Sequence, residues 1–255
     1  MSGMLEGRCI TVVGAGTQAS RDPDAPLGNG RAIAIRAARE GASVICVDRD
    51  EEAAQTTWRQ ITEEGGKGAV VVADVTTEDG CRAAMSDNAG LSPDGLVLNV
   101  GTGFGMGVAG TSLEDWDRTF DVNLRAHFLL VKRGLVTLPD GGSIVFIGSV
   151  AGLRPGSRIP AYDASKAGLI GLNRHVAMEG ARRGIRANVI CPGLIDTPLG
   201  RAASAGRPSR TRSPIPLGRE GTAWEVAAAT VFLLSEEASY VTGQVLAVDG
   251  GLTLV

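Results

Sequence analysis

The sequence is poor in the residues that most often build metal centres. It holds two histidines, His127 and His175, and four scattered cysteines, Cys9, Cys46, Cys81 and Cys191, with no Cys-x-x-Cys pair. A zinc hydrolase site is hard to assemble from so few ligands, and no metal is expected. The histidines read as surface or packing residues of helices. The cysteines read as small core residues in a reducing cytoplasm, not as disulfides. There is no basic excess either: a net charge of −3 argues against a nucleic-acid partner. Arginine is dense only over 201–219, in a Pro/Ser/Gly-rich stretch that reads as a solvated loop. No uninterrupted apolar run approaches the roughly 20 residues of a membrane span. Residues 1–8 lack the apolar core of a secretory signal. A cytoplasmic protein with no membrane partner is therefore expected.

What is abundant is glycine, 36 residues in 255, about twice average usage and without a fixed repeat. Short apolar runs alternate with amphipathic stretches along the whole chain. Cys9–Val13, Ser43–Val47, Ala69–Ala73, Gly95–Leu98, Ser143–Ile147, Arg186–Ile190 and Gln244–Val248 read as strands, nearly continuous in apolar residues as strands covered on both faces are. Gly30–Glu40, Glu51–Glu64, Thr77–Asn88, Leu113–Leu138, Ala161–Arg183 and Ala223–Ser235 read as helices. The alternation predicts one α/β domain over 1–255, a doubly wound sheet of about seven strands, mostly or wholly parallel, with helices on both faces. In such sheets ligands bind beyond the carboxyl ends of the strands, where the strand order reverses.

The residues after each strand fit that expectation. Gly14-Ala15-Gly16-Thr17 follows the first, and Gly28-Asn29-Gly30 opens a helix. Such glycines let backbone N–H groups approach a pyrophosphate. Ten residues, Gln18–Leu27, interrupt the compact form of this pattern, and no Gly-Lys-Ser/Thr follows, which disfavours a P-loop hydrolase. Asp48 ends the second strand, where a carboxylate accepts both hydroxyls of an adenosine ribose and repels a 2′-phosphate, although it could also cap the next helix. Arg49 beside it could instead meet that phosphate. Asp74, with Val75, is placed to contact adenine, or Asp74 could cap the helix that follows. Asn99-Val100-Gly101 follows the fourth strand.

Tyr162 and Lys166 lie four apart in a helical segment and so share a face, and Ser149 follows the fifth strand. With the glycine motif, Asp74, Asn99-Val100-Gly101, Asn123, Pro192-Gly193 and Asp249-Gly250-Gly251 in this order, the chain resembles the short-chain dehydrogenase/reductase family over nearly its entire length. The resemblance implies a Rossmann-type fold, a catalytic group of Asn123, Ser149, Tyr162 and Lys166, and a nicotinamide lined by Pro192, Gly193, Ile195 and Thr197. Tyr162 and Lys166 would also touch the cofactor, together with Gly14, Gly16, Gly28, Asn29, Gly30, Asp48, Arg49, Asp74, Val75, Asn99 and Gly101. Val13 and Leu98 depart from the family, which has Thr and Asn there.

In the implied mechanism Tyr162, helped by the Lys166 ammonium, is the general acid/base while hydride passes between a secondary alcohol or ketone and a nicotinamide. Ser149 orients the substrate oxygen, and Asn123 holds a water that links Lys166 to solvent. Asp48 makes NAD the expected cofactor, with NADP less favoured. The alternatives are an NADPH-dependent 3-oxoacyl carrier-protein reductase and a silent nucleotide-binding scaffold. The segment 196–221 is expected to cover the substrate, with Leu199, Ile215, Leu217, Phe104 and Met106 available to line it. The partners expected are a small alcohol or ketone and further copies of the chain, as a homotetramer or homodimer. The insertion 18–27 is either a plain surface loop or a partial lid over the dinucleotide, with Arg21 in reach of a phosphate.

Overall fold

The apolar runs form strands because each offers residues to both faces of a sheet. In the first strand, β1 (Cys9–Val13), Ile10 and Val12 enter the core on one face, and Cys9 and Val13 the core on the other. The computed structural model describes residues 3–19, 24–86, 90–205, 207 and 214–255. Arg21, the expected helix end at Asn88 and the arginines of 208–213 lie outside them. After β1 come α1 (Asn29–Arg39), β2 (Ser43–Asp48), α2 (Glu51–Glu63), β3 (Lys67–Val72), α3 (Glu78–Ala84) and β4 (Gly95–Leu98). Then follow α4 (Leu113–Phe120), α5 (Ala126–Thr137), β5 (Ser143–Ile147), α6 (Pro160–Gly180) and β6 (Arg186–Pro192). The chain ends through β7 (Ile195–Asp196), α7 (Pro198–Ser204), β8 (Gly221–Thr222), α8 (Ala223–Leu234) and β9 (Val245–Val248).

Seven strands pair in parallel in the order β3-β2-β1-β4-β5-β6-β9. The chain winds one way from β1 to β3 and the other way from β4 onward, which opens a crevice at the carboxyl ends of β1 and β4. Helices α1, α2 and α8 cover one face, where Ile33, Ile61 and Val231 meet Val12, Val97 and Val145. Helices α3, α5 and α6 cover the other, where Cys81, Leu130 and Leu169 meet Leu98, Ile144 and Phe146. All four cysteines are free and buried, as small core residues should be. Arg186 is buried at the start of β6, and its guanidinium donates to the carbonyls of Leu233, Leu234 and Ser235 at 2.7, 3.3 and 3.0 Å. It thereby satisfies the open end of α8.

The segment expected as one helix over Leu113–Leu138 is divided. Between α4 and α5 lies a π-turn, Asp121–Arg125, in which the Ala126 N–H reaches back five residues to Asp121. Asn123, at its centre, is drawn inward by three side-chain hydrogen bonds. Helix α3 begins at Glu78 because Thr77, not Asp74, is its cap: the Thr77 Oγ1 accepts the Gly80 N–H. The segment 196–221 is more than a loop, since it contains α7 and pairs β7 with β8 in a small second sheet. Two-residue strands are too short to show a period of two. No helix among the described residues is long and apolar enough to cross a membrane.

Candidate active site

The glycine-rich turn has no space for side chains. A Cβ on Gly30 would lie 1.8 Å from the Gly14 carbonyl oxygen and 2.6 Å from Asn99 Nδ2, so β1, α1 and the end of β4 meet backbone to backbone. Asn99 Nδ2 completes the junction by donating to the Gly14 carbonyl at 2.9 Å. The Val13 and Leu98 departures leave it intact, because the main chain carries it: Gly14 and Ala15 N–H donate to the Val47 carbonyl and Asn99 N–H to that of Val13. The ends of the insertion are closed in the same way, with the Gly28 N–H on Thr17 Oγ1 at 3.0 Å.

Above this junction runs an elongated cleft of about 570 Å³. Gly14, Gly16, Gly28, Asn29, Gly30, Asp48, Arg49, Asp74, Val75, Asn99, Gly101 and Thr197 all line it, drawn from the ends of six elements. Asp48 accepts the Gly16 N–H at 2.9 Å and the Asp50 N–H at 3.1 Å. It is not the cap of α2; that is Asp50, which accepts from Ala53. Asp74 accepts the hydroxyl and N–H of Thr76 at 2.7 and 3.0 Å, and these bonds hold its carboxyl below the usual range. The cleft suits an extended polyhydroxyl ligand with a charged centre. Asn29 Oδ1 is buried in its wall with no hydrogen-bond partner, an acceptor available to a ligand hydroxyl or amide.

Asn123, Ser149, Tyr162, Lys166, Pro192, Gly193 and Ile195 do not line that cleft; they adjoin it. The link is Gly101, since a Cβ there would sit 3.2 Å from Lys166 Nζ and 3.7 Å from Asn123 Oδ1. Lys166 Nζ donates to the Ile147 carbonyl at 2.9 Å and lies 5.7 Å from the centre of the Tyr162 ring. Burial pulls its ammonium down to about 8, with Cys191 opposing. Ser149 Oγ accepts the Ala151 N–H at 3.1 Å and heads a turn over Val150–Gly152 at the end of β5. Asn123 clasps Thr102, accepting its N–H and donating to its carbonyl at 2.8 Å each, and donates to Ser165 Oγ at 3.0 Å. Both Asn123 side-chain protons are thus committed, so its side chain fixes the loop after β4. Gly193 donates to the Val248 carbonyl at 3.0 Å, and Ile195 belongs to β7. Together they deliver Thr197, whose hydroxyl oxygen accepts the Gly200 N–H as the cap of α7.

The sequence reading missed Thr102 and Ser165, although each is adjacent in sequence to a residue it singled out. Arg118 in the cleft wall carries no such signal, whereas Val122 adjoins Asn123 and Thr17, also in that wall, closes the glycine motif. Both histidines are non-catalytic in position. His127 is fully buried against Phe146, and burial, then Lys166, push its imidazole down to about 3. His175 is exposed, 3.7 Å from Glu179.

This geometry has relatives. The profile of the family described as enoyl-(acyl carrier protein) reductase matches residues 26–253. The 3beta-hydroxysteroid dehydrogenase 1 of Eggerthella lenta is 38% identical over 98% of this chain and 95% of that protein. A Burkholderia xenovorans structure described as a short-chain dehydrogenase/reductase superposes with a TM-score of 0.90, at 35% identity and 99% coverage of both chains. The chain belongs to the short-chain dehydrogenase/reductase family. An Agrobacterium tumefaciens structure, 36% identical with 98% of each chain covered and a TM-score of 0.85, contains bound NADP.

Proposed function

We propose that this chain is an NAD-dependent oxidoreductase that interconverts a secondary alcohol and its ketone, with Tyr162 as general acid/base. The observation that carries the reading is the buried Lys166 ammonium held between Ile147 and the Tyr162 ring, against the Gly101 wall of the cleft. A nicotinamide bound beyond Gly101 supplies the acceptor or donor of hydride. Tyr162 takes the hydroxyl proton of the alcohol as its carbon loses hydride, and returns it in the reverse direction. The Lys166 charge favours the phenolate that this requires. Ser149 orients the substrate oxygen, and Lys166 holds ribose hydroxyls. Asn123 acts as a positioning residue, through Thr102. Asp48 meets the adenosine ribose and disfavours a 2′-phosphate.

A second reading is an NADPH-dependent 3-oxoacyl carrier-protein reductase. It is favoured by a 33% identical 3-oxoacyl-[acyl-carrier-protein] reductase of Thermotoga maritima, by the NADP in a structural relative and by Arg49 in the cleft wall. Assays with both cofactors separate the two. Four free, buried cysteines support a reducing, cytoplasmic setting. The deciding variant is Tyr162→Phe, which keeps the ring and removes the proton-carrying oxygen. Turnover should fall by about 10²–10⁴ with NAD⁺ affinity nearly unchanged, and retention of more than a few per cent of the rate refutes the role.

A further inference from the structure

Exposed apolar side chains follow the carboxyl ends of several strands of the sheet. They come from four separate segments: Met106 and Val108 after β4, Leu153 after β5, Leu199 on α7, and Leu217 before β8. Val108 and Leu217 are 85% and 72% exposed, and apolar surface gathered at one edge marks a binding region. Hydrogen bonds join three of these segments, while the Leu217 N–H donates to the Gly250 carbonyl after β9. The Gly107 N–H donates to the Arg158 carbonyl at 2.8 Å, and the Arg207 guanidinium donates to that of Gly156 at 3.2 Å. The place where they meet lies against the proposed acid/base. A Cβ on Gly103 would be 3.3 Å from Tyr162 Cδ2 and 3.2 Å from Ile159 Cδ1.

Arg158 stands at this meeting point with a φ of 66°, the only non-glycine residue at positive φ among the described residues. Ser157 holds it there: its Oγ accepts the Ile159 N–H at 2.9 Å and donates to the Ile159 carbonyl at 3.2 Å. Glycine would adopt this backbone without strain, so a long charged side chain at the position needs a reason. Strained residues held by their surroundings concentrate at ligand clamps. The neighbouring arginines are engaged. Arg154 donates to the Leu252 and Val255 carbonyls, Arg201 pairs with Asp196, and Arg118 lies 4.2 Å over the Phe104 ring. Arg158 is exposed, and its guanidinium has no hydrogen-bond or ion-pair partner among the described residues. Two other carboxylates of this edge are already engaged: Asp196 pairs with Arg201, and Asp249 accepts the N–H groups of Gly251 and Thr253.

We propose that the substrate is an amphipathic anion, an apolar skeleton whose secondary hydroxyl meets Tyr162 and whose distal carboxylate pairs with Arg158. The apolar collar takes the skeleton, and the planar guanidinium takes both carboxylate oxygens. This rests on the alcohol-oxidising reading above, so its test separates binding from turnover. Two scaffolds serve as probes, 3-hydroxycholan-24-oate and 4-(4-hydroxycyclohexyl)butanoate, each compared with its methyl ester. Binding is titrated calorimetrically with and without saturating NADH, a condition in which the alcohols are not consumed. Wild type should bind at least one acid about tenfold or more tightly than its ester, as for a charge-assisted hydrogen bond. Arg158→Gln and Arg158→Gly should erase that ratio, and Arg158→Lys should retain part of it. The glycine variant relieves the backbone strain, so loss of folding cannot account for its effect. Equal binding of acid and ester, an unchanged ratio in Arg158→Gln, or no binding of either form overturns the proposal. NADH formation from NAD⁺ is read separately: an acid that binds through Arg158 and is never oxidised removes the alcohol-oxidising reading and leaves the anion site standing.

Discussion

Asp48 and Lys166 show how much a single side chain decides at this site. Asp48 is held in place by two backbone N–H groups at the rim of the cleft, where a second negative charge would meet it in partly desolvated surroundings. Asp48→Ser should raise the ratio of kcat/KM for NADP⁺ over NAD⁺ by about tenfold or more. Arg49, already in the cleft wall, would then be free to meet the 2′-phosphate. A wild-type preference for NADP⁺ in the same assay would refute the argument. Lys166 carries a pH signature. Burial lowers its folded-state value to about 8 from 10.5, so between those values the unfolded chain binds more protons than the folded one. The penalty for burying the charge is present in full below pH 8 and is relieved as pH rises to 10.5. In cofactor-free protein, the unfolding free energy of wild type relative to Lys166→Met should rise across that window, by roughly 3 kcal/mol at most. A flat difference between the two denaturation series would contradict it. The Tyr162–Lys166 pair was legible in the sequence because a helix puts residues four apart on one face. The Asn123–Thr102 clasp was not, because it joins the π-turn to the loop after β4, and their approach is set by the tertiary fold.

Among the elements, the strands were the most legible and the departures from regularity the least. Near-continuous apolar runs such as Cys9–Val13 and Ser143–Ile147 match their strands residue for residue. The π-turn left no trace, since Leu113–Leu138 keeps a helical pattern on both sides of it and the interruption is enforced by tertiary bonds to Asn123. The insertion lies between these cases. A loop was expected there, and its described residues have tertiary surroundings. Gln18 and Ala19 line the dinucleotide cleft, while Ala25, Pro26 and Leu27 share a side pocket of about 320 Å³ with Arg31, Asp50 and Pro198 of α7. This favours a role beside the cofactor over an idle surface loop. Because Thr17 and Gly28 are already hydrogen-bonded, deleting Gln18–Leu27 should leave the fold intact, with a modest loss from the core packing of Leu27. NAD⁺ should then bind several-fold more weakly and NADH should leave faster. Unchanged dissociation constants and release rates in a folded, active deletion variant would assign the loop no part in binding.

For the whole molecule, the two cores and the switch in strand order account for where the cleft lies, and both were legible from the alternation of apolar runs and helices. Association was less so. The apolar positions of α5 and α6 divide in the structure: Leu130 and Leu169 are buried in the chain's own core, whereas Phe128 remains 48% exposed. Leu113, Trp116, Val136 and Met178 also carry apolar surface to solvent from α4, α5 and α6, with Trp116 stacked on Phe120 at 4.8 Å. Helices carrying this much exposed apolar surface are better covered than left in water, and a symmetric contact between copies covers the same patch on each. We therefore propose a homo-oligomer, a dimer or tetramer, assembled through α4 and α5. Light scattering at micromolar concentration should give a mass of two or four chains, and Phe128→Glu combined with Trp116→Glu should shift it toward one. Because both residues are partly exposed in the single chain, the double variant should keep its far-ultraviolet circular dichroism. A wild-type protein that runs as a monomer would leave the apolar surface of these helices without its proposed partner.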